Sequence, residues 1–228
     1  MSTLSTIILQ PDGIRIPRSV TDLESFRRWV HSDRFPEKGR IDWIGGRLEV
    51  DISPENLDRH GTLKSAIARD LGYLIERPDL GVVLVDSSRY TCLEAGLSVE
   101  PDILVVLFES IDAGRVRLVP AARGEGYVEV QGSADLVVEC VSDSSRMKDL
   151  RVLPPRYHQA GVREYWIADA RKATASLKIL ARAPGAYREV PADRSGFHRS
   201  AVLGGAVRLV RLPERSGLVR YVLERRGR

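Results

Sequence analysis

Two carboxylates stand on stretches whose other residues are there for packing. Asp102 opens the run Ile103-Leu104-Val105-Val106-Leu107, and Glu139 lies inside Asp135-Leu136-Val137-Val138-Glu139-Cys140-Val141 further along. Consecutive apolar residues enriched in β-branched types suit a strand buried on both faces. A charge on such a strand is costly unless it is paired or bound to a metal, so two acids at the ends of neighbouring strands point to a divalent-cation site. A plainer account is also open. Asp102 follows Pro101 and can begin its strand as a turn residue, while Asp135, Val137 and Glu139 share one sheet face that could be half-solvated.

The elements around these acids are legible in part. Thr21-Asp22-Leu23-Glu24 reads as a capping box with Thr21 as N-cap, followed by a short helix through Phe26, Trp29 and Val30. Arg40–Val50 predicts a hairpin turning at Gly45-Gly46. Asn56 or Asp58 caps a second helix bearing Leu63, Ile67, Leu71, Leu74 and Ile75, which ends before Pro78. Strands are expected at Gly81–Asp86 and Ser88–Leu93. The glycine-rich span 108–131 reads as an inserted loop or small ribbon. Ser142-Asp143-Ser144-Ser145 offers N-caps for a helix from Arg146 to Gln159, stopping at Gly161. Pro154-Pro155 conflicts with one continuous helix, so two pieces, or a restart with Pro154 in a first turn, are expected. Glu164–Asp169 is a strand. A β-rich part then begins at Ser176–Ala181 and reaches Ala206–Leu212. The order predicts an α/β protein: a mixed β-sheet core flanked by helices, with an N-terminal helix and a β-rich C-terminal extension.

The 228 residues suit one decorated domain. Its bounds are expected at 19–212, with an arm at 1–18 and a basic tail at 213–228 containing Arg220, Arg225, Arg226 and Arg228. No apolar stretch approaches the ~20 residues of a membrane span, and the first ten residues lack the basic and apolar regions of a signal peptide. Cys92 and Cys140 lie among apolar neighbours with no disulfide or zinc spacing, which suits the reducing cytoplasm. The net charge of +4 permits nucleic-acid binding without demanding it. Only 5 of the 35 basic residues are lysine, a bias that genome composition alone produces.

An ordered set of motifs adds a resemblance. It comprises Gly45-Gly46-Arg47-Leu48 after the aromatic hairpin strand, His60-Gly61, Pro101-Asp102, the Asp135–Glu139 strand, Ser142-x-Ser144-Ser145, and Tyr157-x-x-Ala160-Gly161-Val162-x-Glu164-Tyr165-Trp166. Over roughly residues 20–212 the set resembles a large bacterial family of predicted restriction endonucleases in the PD-(D/E)XK nuclease superfamily. The resemblance implies a restriction-endonuclease-like core and Mg²⁺-dependent hydrolysis of phosphodiesters in nucleic acid, most simply DNA, with Mn²⁺ as a substitute. It implies Asp102, Glu139 and Asp42 as metal ligands, Asp102 and Glu139 as catalytic acids, and His60 at the site rim. Arg151 and Arg156 are further candidates for substrate contact.

One departure bears on catalysis. The superfamily lysine stands two residues after the glutamate, where this chain has Val141. Many family members place it four residues after an aspartate on the next helix, and with Asp149 as that aspartate the position is Leu153. Lys148 is the nearest lysine: it completes the catalytic set with Asp102 and Glu139 if the helix start bends inward, and is otherwise a solvent-facing residue at a helix N-terminus. Two readings follow: a metal-dependent nuclease, or an inactive copy of the fold serving as a nucleic-acid-binding or oligomerising module. Tyr157, Tyr165 and Trp166 are expected in the core. A homodimer is expected through an apolar face of Val207, Leu209 and Leu212.

Overall fold

The computed structural model of the protein describes residues 6–9, 14–53, 56–122 and 124–227. The first residues of the expected arm, the Asp58 side chain and Arg228 of the expected tail lie outside them. In chain order the elements are β1 (Thr6–Leu9), β2 (Ile14–Pro17), α1 (Leu23–Val30), β3 (Arg40–Ile44), β4 (Arg47–Asp51), a π-helical turn over Leu57–Gly61, α2 (Thr62–Ile75), β5 (Gly81–Val85), β6 (Tyr90–Cys92), β7 (Leu97–Val99) and β8 (Ile103–Leu107). There follow α3 (Phe108–Asp112), β9 (Val116–Pro120), β10 (Tyr127–Gly132), β11 (Leu136–Cys140), a second π-helical turn over Lys148–Val152, α4 (Leu153–Gln159), β12 (Glu164–Asp169), β13 (Ser176–Arg182), β14 (Tyr187–Val190), β15 (His198–Ser200), β16 (Gly205–Arg215) and β17 (Leu218–Arg226).

The central sheet has the order β14-β13-β12-β11-β8-β5. Only β11 and β12 run parallel in it. Every residue of β8 and β11 is buried. Alternate residues serve two cores: Ile103, Val105, Leu136 and Val138 pack with α2 and the C-terminal strands, and Leu104, Val106 and Val137 pack with α4 and a second sheet. The unbroken apolar runs are therefore what a two-sided strand needs. At the sheet edge Gly81 is required by close approach, since a Cβ there would meet the Val106 carbonyl oxygen at 2.2 Å.

The second sheet, β4-β3-β7-β6-β10-β9, carries the hairpin of β3 and β4. Gly45 and Gly46 both have positive φ, at 58° and 88°, the pair of left-handed residues that a two-residue hairpin turn demands. The span 108–131 is more than an inserted loop. It supplies α3 and the β9–β10 ribbon, and β10 joins the second sheet by parallel pairing with β6, because Val116 and Val130 belong to its core.

Three further expectations shift. The box at α1 is formed by Asp22 and Ser25: Asp22 Oδ1 accepts from the Ser25 N–H at 2.7 Å, and Ser25 Oγ accepts from the Asp22 N–H at 3.0 Å. Glu24 instead pairs with Arg28 on the surface. The helix then buries Phe26 and Trp29 against Ile41 and Trp43 of β3. The expected basic tail contains β17, which pairs along β16 and buries Val219, Tyr221 and Leu223 on α2. Val207 lies in that same core with Leu209 packed on it, so these two residues of the expected apolar face are covered within the chain.

The proline pair and the three aromatic residues fall where the sequence predicts. Pro154 and Pro155 fall in the first turn of α4, where their missing N–H groups are not needed. Trp166, Tyr157 and Tyr165 are fully buried. Buried Glu164 accepts from Trp166 Nε1 at 2.9 Å, Ser200 Oγ at 2.8 Å and the Ala201 N–H at 2.6 Å, tying the C-terminal strands to β12. Asp70 on α2 accepts the Leu223 N–H at 2.8 Å.

Candidate active site

Asp102 and Glu139 meet because their strands pair. Val138 lies opposite Ile103 in the antiparallel register of β11 and β8, which brings Glu139 opposite Asp102, one step further along each strand. Both acids fall on the face lined by Leu104, Val106 and Val137. Cys140 N–H donates to Asp102 Oδ2 at 2.7 Å, and Asp102 N–H makes a long 3.4 Å contact with Glu139 Oε2. Tyr157 on α4 donates its hydroxyl to Glu139 Oε1 at 2.8 Å. The two acids are almost sealed, at 3% and 1% exposed.

Three basic groups surround the pair. Arg40 Nη2 donates to Asp102 Oδ1 at 3.0 Å. His60 Nε2 lies 3.5 Å from Asp102 Oδ2. Lys148 Nζ reaches Asp42 Oδ2 at 3.3 Å. Asp42 is further held by the Glu100 N–H at 3.0 Å and faces Arg89 Nη1 at 3.7 Å. His60 and Lys148 each sit in a π-helical turn that leads into a helix, a local distortion common where a side chain has to be re-aimed at a site.

Burial pushes the Glu139 carboxyl well up, and the Asp102 charge adds to that rise. Burial also works against the Asp102 carboxylate, but the hydrogen bond from His60 and the Arg40 charge outweigh it and hold the group low. The pair thus splits into one ionised and one protonated acid, as close buried carboxylates do. Burial opposes the Lys148 ammonium, yet Asp42 raises it on balance. Lys148 is therefore a charged donor rather than a base. Arg40 follows the same pattern, with Asp102, Glu139 and Asp42 all favouring its charge. Asp149 is buried beside Lys148. Ser145 Oγ donates to its Oδ2, its Oδ1 has no hydrogen-bond partner among the described residues, and burial raises the carboxyl to about 6.

Asp102 opens onto a cleft of about 1300 Å³ that Glu139 does not line; Arg15, Arg34, Lys38, Arg40 and His60 on its wall are matched by Glu37, Asp51, Asp86, Glu100 and Asp143. Neither Arg151 nor Arg156 lines it. Arg151 is exposed, and Arg156 lays its guanidinium over the hairpin turn, where a Cβ on Gly45 would meet Nη2 at 2.1 Å. Leu153, at the expected lysine position, is 1% exposed in the core.

The donor set suits a hard cation in one respect: two adjacent carboxylates are what Mg²⁺ takes from a protein, with water and substrate oxygens completing its shell. Among the described residues no group of three or more His, Cys, Asp and Glu side chains is arranged to hold a metal ion. Asp42 is committed instead to Lys148 and Arg89.

Sequence reasoning passed over Arg40, Tyr157 as a partner of Glu139, and the Asp149–Ser145 pair. Arg40 was within reach of it: Arg40 and Asp42 are two apart on β3 and so share a sheet face. Tyr157 carried no comparable signal, because contacts between a helix and a strand depend on how α4 docks, whereas Ser145 and Asp149 are a local pair four residues apart.

The architecture is the restriction-endonuclease-like fold. It is similar to the crystal structure of a putative nuclease belonging to DUF820 from Anabaena variabilis ATCC 29413, with a TM-score of 0.59 and 15% identity over 80% of this chain and 90% of that one. The chain belongs to the Uma2 family, described as putative restriction endonuclease, whose model matches residues 23–208. No curated protein matches it significantly. No helix among the described residues is long and apolar enough to cross a membrane.

Proposed function

We propose that this protein is a divalent-metal-dependent nuclease that hydrolyses phosphodiester bonds in nucleic acid, with DNA as the first substrate to test. The observation that carries this reading is the convergence of Asp102 and Glu139 from facing strands, with Asp102 at the wall of a charged cleft. In this reading Asp102 and Glu139 hold Mg²⁺, or Mn²⁺ in its place, and Asp42 acts through Lys148. Bound metal supplies a water of lowered pKa and positive charge at the phosphoryl oxygens. Lys148, kept protonated by Asp42, orients the attacking water and offsets charge on the phosphorane. His60 holds Asp102 from the cleft side. Arg15, Arg34 and Lys38 are the cleft-wall groups available to backbone phosphates. Arg151 and Arg156 are placed to serve only contacts outside the cleft. The two buried free cysteines support a reducing compartment such as the cytoplasm.

A second reading, a binding module without catalysis, draws on Leu153 in the lysine position and on Asp102 and Asp42 each already having a protein cation. Plasmid and single-stranded DNA incubated with Mg²⁺ or Mn²⁺ separate the two. Cleavage that disappears in Asp102→Asn and Glu139→Gln is the expected result. Retention of DNA without cleavage under any divalent metal would replace the nuclease by the binding module.

A further inference from the structure

We propose that Arg40 is the resident counter-cation of the Asp102–Glu139 pair, and that a divalent metal binds there only by exchanging with it. The inference rests on the nuclease reading and concerns how the same site is loaded.

The coordination of Asp102 leads to it. Oδ2 accepts from the Cys140 N–H and faces His60, while Oδ1 is taken by Arg40. Asp102 thus offers a metal one oxygen, and the guanidinium occupies it. A divalent ion and a guanidinium on one carboxylate oxygen repel each other across a short gap in a poorly screened site. Among the described residues no basic group lies within ion-pair distance of Glu139, the cations of the site pairing with Asp102 and Asp42, so it cannot compensate by releasing one of its own. Displacement of Arg40 is geometrically open. The residue begins β3 rather than lying within it, its side chain is 22% exposed, and it lines the cleft. Turned outward, the guanidinium remains on the cleft wall, where its planar fork can take two oxygens of a nucleic-acid phosphate. Metal on the acids and phosphate on Arg40 then favour each other. The same contact explains how two buried acids are tolerated without metal: Arg40 neutralises the pair.

The test measures Mn²⁺ binding to the full chain by calorimetry and by the electron paramagnetic resonance of free Mn²⁺. Arg40→Gln removes the competing charge and is expected to lower the Mn²⁺ dissociation constant by roughly tenfold or more, within the usual range of coupling between two ligands. Arg40→Lys keeps the charge and is expected to remain close to wild type, which also controls for any loss of fold. By reciprocity, Mn²⁺ must loosen Arg40. Arginine-directed modification read on the Arg40 peptide by mass spectrometry is therefore expected to speed up on adding Mn²⁺. Equal or weaker Mn²⁺ binding by Arg40→Gln, or slower modification of Arg40 with Mn²⁺, overturns the exchange while leaving the metal site intact. No Mn²⁺ binding by wild type or by Arg40→Gln overturns both the exchange and the metal-dependent reading.

Discussion

Asp102 and Glu139 contact each other's strands: the Asp102 carboxylate accepts from the N–H of the residue after Glu139, and the Glu139 carboxylate faces the Asp102 N–H. Their separation is therefore fixed by backbone register rather than by side-chain choice. Any cation bound between them meets a pair already set in place, with little ordering left to do.

A proton should leave when metal arrives. Burial and Asp102 keep the Glu139 carboxyl protonated far above its ordinary range, and a ligating carboxylate has to be ionised. Mn²⁺ affinity is expected to rise with pH, and the calorimetric enthalpy is expected to depend on the ionisation enthalpy of the buffer. Identical enthalpies in two buffers at one pH would show that Glu139 is ionised beforehand.

Asp149 should make stability fall with rising pH. Its carboxyl is raised to about 6 in the folded chain against 3.8 as reference, chiefly by burial. The folded state therefore binds the extra proton between those values. The associated stability is present below pH 4 and lost as pH passes 6, by on the order of 2–3 kcal/mol. The difference in unfolding free energy between wild type and Asp149→Asn, followed by urea titration at pH 4, 6 and 8, should change in that direction. A pH-independent difference would remove Asp149 as its source.

Tyr157→Phe deletes one hydroxyl and leaves Glu139 Oε1 without its donor. Stranding a buried acceptor costs about 1–3 kcal/mol, so the urea midpoint should drop while the far-ultraviolet circular dichroism stays unchanged. An unaltered midpoint would mean that another donor reaches Glu139.

Lys148→Ala should cut the rate of DNA cleavage by on the order of 100-fold or more, the usual effect of removing one charged donor to the transition state. Mn²⁺ binding should persist, because Lys148 contacts Asp42 and neither acid of the pair. A variant that cleaves at the wild-type rate removes Lys148 from the chemistry.

The fold was more legible than the neighbourhood of the site. The β8 and β11 strands, the Gly45-Gly46 turn and the split at Pro154-Pro155 follow from local chemistry, so they could be read directly. The cap at α1 was misplaced by one residue because Thr21 and Asp22 are both good N-caps, and the choice lay with the short Ser25 hydroxyl. The C-terminal arginines concealed β17, since an edge ribbon can expose one face to water while Val219, Tyr221 and Leu223 fill the other. At the site, the premise that buried acids need a metal overlooked Arg40, whose contact with Asp102 spans 62 residues. Long-range pairing of that kind is set by how the hairpin sheet packs on the central sheet, which no local pattern encodes.

The two walls of the cleft answer to different parts of the chain. His60 rides at the head of α2, whose body is clamped to the C-terminal ribbon through Asp70 and the Ile67–Leu71 face. Arg40 and Asp42 ride on a hairpin braced by α1 through Phe26 and Trp29. A stiff rod carries any slack in the ribbon to the histidine side, and the arginine side is insulated from it. Width and charge of the cleft can therefore drift independently under mutation, one from the C-terminal end and the other from the N-terminal end, while the acid pair between them holds its register.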